Sequence, residues 1–308
     1  MVKINKVIVL YGGLSSEKEI SIQSGAGIHK ALIELGYKAD LKDIKDINDF
    51  EKLKNYDLVF IALHGVEGEG GDLQKTLDDF SIKYTGSKSS ACSNTWNKWI
   101  FKEILNINSI SNPRGYKVDG LDMKMQSPFL KFKDIFGEVP SSLFMKPAED
   151  GSSIDIFELS NNDDFQQALK ICQNINRPFI FEEAIKHKEF TVTIINHECL
   201  PVIEIQTKNE FYDYDAKYLS NETSWSQAKL SSADLNSINE ISLSAYKALN
   251  CFGWARVDIL QDKNGKFYVI EINTVPGMTS HSCVPKSASY KNLSYKEVVQ
   301  EIIHASLK

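Results

Sequence analysis

The sequence predicts an α/β layer at the N-terminus followed by α+β structure built around antiparallel sheet. Three observations carry this. A strand, a Gly-Gly turn and an amphipathic helix follow one another over residues 6–35. Two further strand signals alternate with helix signals up to residue 92, the pattern of a parallel layer. Beyond residue 142, six short strand signals are interrupted by a single long helical pattern before the last one, and two of the strands flank Asn264-Gly265, a strong hairpin signal.

Lys6–Leu10 is β-branched and apolar and runs into Tyr11-Gly12-Gly13. Ile20, Ile22, Ala26, Ile28, Ala31, Leu32 and Leu35 fall at helical spacing, and Gly36 stops the helix. Tyr56–Leu63 reads as a buried strand ending at His64-Gly65, Asp72–Phe80 as a helix, and IKYTG as a short third strand. Asn94–Leu105 reads as a helix with Lys98 and Lys102 on one face. Residues 106–142 carry no clear period. Strands follow at 142–146, 178–182, 190–195 and 200–205, a helix at 235–249, strands at 254–260 and 267–273, and a last helix from Tyr295 to Leu307. Ser294 and Glu297 form a capping-box pattern for that helix.

At 308 residues the chain is long enough for two or three units, each with its own core. The net charge of −6 argues against general nucleic-acid binding. The five cysteines are scattered and lack a Cys-x-x-Cys spacing, which points to a reducing compartment and away from a disulfide framework or a zinc site. The N-terminal apolar run is short and no segment is long enough to span a membrane, so a cytoplasmic protein is expected.

The pattern FYVIEIN in a strand raises a question of chemistry. With a two-residue turn at Asn264-Gly265, Asp258 faces Glu271 and Arg256 faces Asn273, all on one side. Val257, Ile259, Ile270 and Ile272 then face the other. Opposed carboxylates repel, and a divalent cation offsets that repulsion. Asp258, Glu271 and the Asn273 carbonyl form an oxygen donor set that suits Mg²⁺ completed by water and phosphate. The plainer alternative is a half-exposed sheet on which Arg256 simply pairs with the acids.

The stretch ARVDIL…FYVIEINTVPGMTSHSCVP resembles the C-terminal signature of D-alanine–D-alanine ligases, of the ATP-grasp superfamily. LYGGLSSEKEIS, IALHGVEGEGGDLQ, KPAEDGSS, FEEAIKHKEFTV and FYDYDAKYLS agree with that family in order. The resemblance implies an ATP-grasp fold with a Rossmann-like N-terminal domain over 1–92, a central domain over 93–182 and a C-terminal domain over 183–308. It implies ATP-dependent joining of two D-alanines through an acyl phosphate, for peptidoglycan synthesis, by a homodimer that binds neither nucleic acid nor membrane. The competing readings are a ligase that joins D-alanine to D-serine or D-lactate, and a nucleotide-binding module without turnover.

By the same resemblance, Asp258, Glu271 and Asn273 hold two Mg²⁺ ions, with Mn²⁺ as the alternative ion. Lys98, Lys146, Ser152 and Ser153 hold ATP phosphates. Glu182 and Glu183 lie at the adenine and Glu189 at the ribose. Glu17 and His64 attend the first D-alanine. Lys217, Tyr218, Ser282 and Cys283 close on the second. Ser152 and Tyr218 act with Glu17, while Arg256 and the Gly277 backbone N–H stabilise developing charge. Three positions depart from the family pattern: Asn97 stands for an acid, and Asp155 and His187 for glycines.

Overall fold

The computed structural model describes residues 4–122, 125, 127–151, 154–206 and 224–307. Of the expected site residues, Ser152, Ser153, Lys217 and Tyr218 lie outside the described residues. Among the described residues no helix is long and apolar enough to cross a membrane.

The N-terminal layer contains β1 (Lys6–Tyr11), α1 (Lys18–Glu34), β2 (Lys38–Asp43), β3 (Leu58–Ile61), α2 (Val66–Glu69), α3 (Asp72–Asp79) and α4 (Ser89–Trp96). β1 lies between β2 and β3, parallel to both. The expected strand IKYTG is reduced to one parallel bridge, Val59 to Tyr84. β2 carries no strong sequence signal because Lys38, Asp40 and Lys42 alternate on its solvated face.

The expected helix over 94–105 breaks at Asn97. Asn97 is extended and its side-chain oxygen accepts from Trp99 N at 3.1 Å and Ile100 N at 2.9 Å, so it caps a new helix, α5 (Lys98–Ile107). Then come β4 (Gly115–Val118), α6 (Pro128–Phe136), β5 (Leu143–Pro147), β6 (Phe157–Leu159), α7 (Asn162–Ile171) and β7 (Phe179–Glu183). The strands form an antiparallel sheet in the order β4-β7-β5-β6. Its buried face, with Leu143, Met145, Phe179 and Phe181, packs on Phe132 of α6 and Phe165 of α7.

The last sheet takes β8 (Lys188–Ile195), β9 (Glu198–Cys199), β10 (Ile203–Gln206), β11 (Ser224–Gln227), β12 (Trp254–Gln261) and β13 (Phe267–Asn273), with α8 (Ser232–Ala248) across one face. The order is β11-β10-β8-β12-β13, and β9 also pairs with β8. α9 (Cys283–Ser289) and α10 (Tyr295–Ala305) close the chain. The cores do not follow contiguous stretches. Phe101 and Leu105 of α5 join the core of the last sheet, while Val284 of α9 and Val298, Val299 and Ile302 of α10 join that of the N-terminal layer.

The hairpin between β12 and β13 differs from the two-residue turn read from the sequence. Asp262 N donates to Lys266 O at 3.0 Å and Gly265 N to Asp262 O at 3.0 Å, with Gly265 at φ +87°. This is a three-residue loop with a left-handed glycine. Such a loop alone would turn one strand over. A bulge between Asp258 and Ile259 absorbs the extra residue, so Ile259 pairs with Val269 while Asp258 still faces Glu271 and Arg256 still faces Asn273. Ile270 is the bulged residue. It is therefore half-buried and outside the core, and Phe267 and Val269 take the inward positions expected of it.

The Gly265 turn gives a first prediction. A Cβ at Gly265 would meet nothing nearer than Gln261 Nε2 at 3.9 Å, so the cost of adding one comes from φ alone. Gly265→Ala should lower stability by about 1 kcal/mol in urea unfolding, and Gly265→Asn by less, because asparagine tolerates the left-handed region.

Candidate active site

One face of the last sheet carries the polar residues. On β12, Ala255, Val257 and Ile259 point to the core, which leaves Arg256 and Asp258 on the other side. On β8, Phe190, Val192 and Ile194 are core residues, so Glu189, Thr191 and Thr193 share the face of Arg256 and Asp258. Thr191 lies opposite Asp258, and Thr193 opposite Arg256. Glu271 and Asn273 complete the face from β13. At one end of it, Ile195 and Trp254 pack into the core of the N-terminal layer, with the Trp254 ring 6.3 Å from Phe60. This contact sets the sheet's polar face against the ends of β1 and β3.

The two acids differ in exposure: the Glu271 side chain is 32% exposed and Asp258 is buried. Burial of Asp258 at 3% exposure departs from the reading of two solvated acids, although Glu271 keeps part of that character. Arg256 nevertheless pairs with Asp258, donating from Nε to Oδ1 at 2.9 Å and from Nη2 to Oδ2 at 2.7 Å, and lies 4.0 Å from Glu271. Thr191 Oγ1 donates to Asp258 Oδ1 at 2.6 Å and Asn273 Nδ2 to Oδ2 at 3.1 Å. Burial opposes the charge of Arg256, but Asp258 outweighs it and holds the guanidinium firmly protonated. Burial raises the Asp258 carboxyl, against the pull of Arg256, and Glu271 adds to the rise.

The donor set fits Mg²⁺. Two carboxylates and an amide converge, and Thr193 beside them buries a hydroxyl without a protein partner. Asn273 now presents its NH₂ to both acids, so offering its oxygen to a cation requires only an amide flip. Among the described residues no three His, Cys, Asp or Glu side chains group to hold a metal by themselves.

A cleft above this face is lined by Glu17, His64, Glu69, Lys98, Arg256 and Gly277, among others. His64 is buried, with Nδ1 2.8 Å from Val275 O and Nε2 3.2 Å from Ser24 Oγ. A carbonyl can only accept, so Nδ1 carries the proton and Nε2 accepts from the serine. Ser24 Oγ in turn accepts from Met278 N at 3.0 Å. Burial lowers the His64 pKa, with Glu17 partly opposing. His64 thus holds the segment 275–278 from both sides as a neutral ring. Gly277 sits in that segment without positive φ. Its need for glycine is steric: a Cβ would lie 2.8 Å from Ser282 Oγ. Ser282 Oγ accepts from Thr279 N at 3.0 Å, and buried Cys283 begins α9.

Glu69 is a cleft residue that the sequence reading missed. It is 8% exposed and accepts from Val275 N at 3.2 Å. Burial, reinforced by Glu17, pushes its carboxyl up to about 8. The signal was present in GVEGEGG, but nothing local distinguishes a buried acid from a solvated one.

Of the nucleotide candidates, Lys146, Glu182 and Glu183 lie on the central sheet, Lys98 at the start of α5 and Glu189 on β8 of the last sheet. Lys98 Nζ donates to the Asp150 carbonyl oxygen. Glu182 is buried between Lys102 Nζ at 2.9 Å and Lys146 Nζ at 2.5 Å. Burial works against its charge, but the two lysines outweigh it and hold the carboxyl at about 2. Arg114 grips the Glu183 carboxylate, with Nε 3.0 Å from Oε2 and backbone N 2.8 Å from Oε1. Two of the three departures from the family pattern have local partners. Asn97 Nδ2 donates to Glu149, a bond an acid could not make. Asp155 stands at φ +53°, where glycine is expected, and turns its carboxylate to Arg177 Nη2 at 2.5 Å and Gln173 N at 3.0 Å. His187 is exposed.

Two antiparallel sheets, one carrying Lys146 against buried Glu182 and the other a carboxylate–amide cluster, define an ATP-grasp ligase. A family model described as D-ala D-ala ligase C-terminus matches residues 122–304. The chain is 35% identical over 308 residues to a D-alanine–D-alanine ligase of Haemophilus ducreyi, covering 99% of both. One from Alcanivorax borkumensis is 33% identical over 307 residues, with 99% of this chain and 95% of that one covered. A D-alanine–D-alanine ligase from Bacillus anthracis complexed with ATP superposes with a TM-score of 0.83 at 31% identity, covering 98% of this chain and 97% of that one. VanG D-Ala:D-Ser ligase from Enterococcus faecalis gives 0.81 at 25% identity, covering 99% and 100%. The chain belongs to the D-alanine–D-alanine ligase family.

The high pKa of Glu69 makes stability depend on pH. Folded protein keeps this proton to about pH 8, whereas the unfolded chain releases it near 4.5. Between these values the folded state holds the extra proton, so this contribution to stability is lost as pH rises. The Tm of Glu69→Gln relative to wild type should therefore rise from about pH 5 to about pH 8.5, as read by calorimetry.

Proposed function

We infer that this chain ligates two D-alanines to D-alanyl-D-alanine at the expense of ATP, serving peptidoglycan synthesis. The observation that carries the reading is the single cleft that joins Glu17 and His64 of the N-terminal layer to Arg256, Glu271 and Asn273 of the last sheet. Amino-acid and phosphoryl chemistry require such adjacency. The three units proposed for the activity are 1–92, 93–182 and 183–308, with α5, α9 and α10 locking across their boundaries.

In the proposed sequence, a carboxylate oxygen of the first D-alanine attacks the γ-phosphorus of ATP, and ADP leaves with the bridging oxygen. The amine of the second D-alanine attacks the acyl carbon, loses a proton, and inorganic phosphate departs as the dipeptide forms. Glu17 holds the first ammonium. Arg256 moves from Asp258 to the transferred phosphoryl and the oxyanion, with the Gly277 N–H as a second donor. Lys98 and Lys146 turn to the ATP phosphates, Glu182 and Glu183 border the adenine, and Glu189 takes the ribose. Ser282 and the Cys283 backbone receive the second carboxylate. Ser152, Ser153, Lys217 and Tyr218 keep the roles that the family pattern suggests. Asp258, Glu271 and Asn273 would hold two Mg²⁺ ions, or Mn²⁺, which neutralise phosphate charge when bound. A cytoplasmic homodimer is the assembly proposed.

Phosphate release with ATP and Mg²⁺ tests this reading. Release with D-alanine and not L-alanine, yielding the dipeptide, is expected. Release only when D-serine or D-lactate is added would move the acceptor, and no release with any pair would overturn the ligase reading. Glu271→Gln should lower kcat by about a hundredfold or more at unchanged Tm, the loss expected for one ligand of a phosphate-neutralising cation.

A further inference from the structure

Lys102 sits one turn into α5, in a buried place where a lysine is costly. It is 2% exposed. Its Nζ donates to Asn112 Oδ1 at 2.7 Å and to the Pro113 carbonyl oxygen, and lies 2.9 Å from Glu182 Oε1. An ammonium has three N–H groups, and here each has an acceptor. The acceptors come from the segment between α5 and β4 and from β7, so the cation is fixed from two elements. Lys146, on the other oxygen of Glu182, stands at the end of β5 with its side chain 14% exposed. The two cations are thus unlike: one is saturated and enclosed, while the other keeps part of its side chain exposed.

That difference matters once a nucleotide arrives. Lys146 turning to a phosphate leaves Glu182 with Lys102 alone. A buried carboxylate stripped of every cation takes up a proton, because burial disfavours its charged form. An ionised carboxylate can only accept hydrogen bonds, whereas a protonated one can also donate. The state of Glu182 therefore sets which edge of a base it can read.

We propose that Lys102 is a specificity-determining positioning residue: it keeps Glu182 ionised with nucleotide bound, and so selects a purine with an exocyclic amino group over one with a keto oxygen at the same position. The proposal rests on the reading that Glu182 borders the adenine. The carboxyl held at about 2 in the free protein is consistent with it.

The test is equilibrium binding of ATP and of inosine triphosphate, by calorimetry with Mg²⁺ and no D-alanine, so that no turnover is needed. The ratio of the two Kd values is read on one sample and is insensitive to an unfolded fraction. Lys102→Met should narrow the wild-type preference for ATP by about tenfold or more, the scale of a mismatched buried hydrogen bond, with the KM for D-alanine unchanged. Lys102→Arg, which keeps the charge, should retain most of the preference. If Lys102→Met gives no folded protein, Lys102→Gln reads the same ratio without the charge. Equal weakening of both nucleotides in the uncharged variant would overturn the proposal. Glu182→Gln separates the two layers of the argument. If it leaves the ratio unchanged, Glu182 does not read the base and both readings fail. If it narrows the ratio while Lys102→Met does not, only the role of Lys102 fails.

Discussion

Two carboxylates facing each other across antiparallel strands repel, and the fold around Asp258 and Glu271 is organised by what offsets that repulsion. In the free protein the offset is Arg256, which chelates Asp258 from the same strand and reaches toward Glu271. Thr191 and Asn273, from the strands on either side, satisfy the remaining lone pairs. This leaves a polar cluster poised between two sets of partners. In the proposed reaction, a cation with phosphate would replace the guanidinium and release it toward the charge that develops in phosphoryl and acyl transfer. The register that makes this work survives an odd-length hairpin only because Ile270 bulges out before Glu271.

The N-terminal layer supplies the other wall. Its contribution runs through hydrogen bonds to backbone, not through charges alone. His64 and Glu69 both hold Val275, one at its carbonyl and one at its N–H, and Ser24 holds Met278. The segment bearing Gly277 is therefore fixed by the layer that also presents Glu17. In the proposed reaction, such pre-organisation would aim the Gly277 N–H before substrate binds. α10 packing on α1 and into the same core keeps the chain's last helix in the unit that begins it.

Much of this was legible in the sequence. Period-2 alternation placed Arg256, Asp258, Glu271 and Asn273 on one face, and the β1–Gly-Gly–α1 unit and the Ser294–Glu297 capping box are present in the structure. What was not legible has local causes. β2 exposes charged residues at alternate positions and so lacks an apolar run. α5 looked continuous with the preceding helix because an N-cap asparagine inside an apolar pattern resembles any polar position. The hairpin length was misjudged because Asn-Gly fits several loops, and its bulge depends on pairing with the neighbouring strand. Lys102 and Glu69 drew no role from the sequence, since burial of an ionisable group is decided by partners distant in sequence, here Glu182 and Val275.

The central claim is that Asp258, Glu271 and Asn273 bind a divalent cation only in company with phosphate, because Arg256 occupies the acids otherwise. Titration of Mn²⁺ followed by electron paramagnetic resonance, with and without a non-hydrolysable ATP analogue, tests it directly. The account predicts negligible Mn²⁺ binding to the protein alone, clear binding with the analogue beyond that of the analogue in buffer, and a large loss of that increment in Glu271→Gln. An increment that survives in both Glu271→Gln and Asp258→Asn would contradict it.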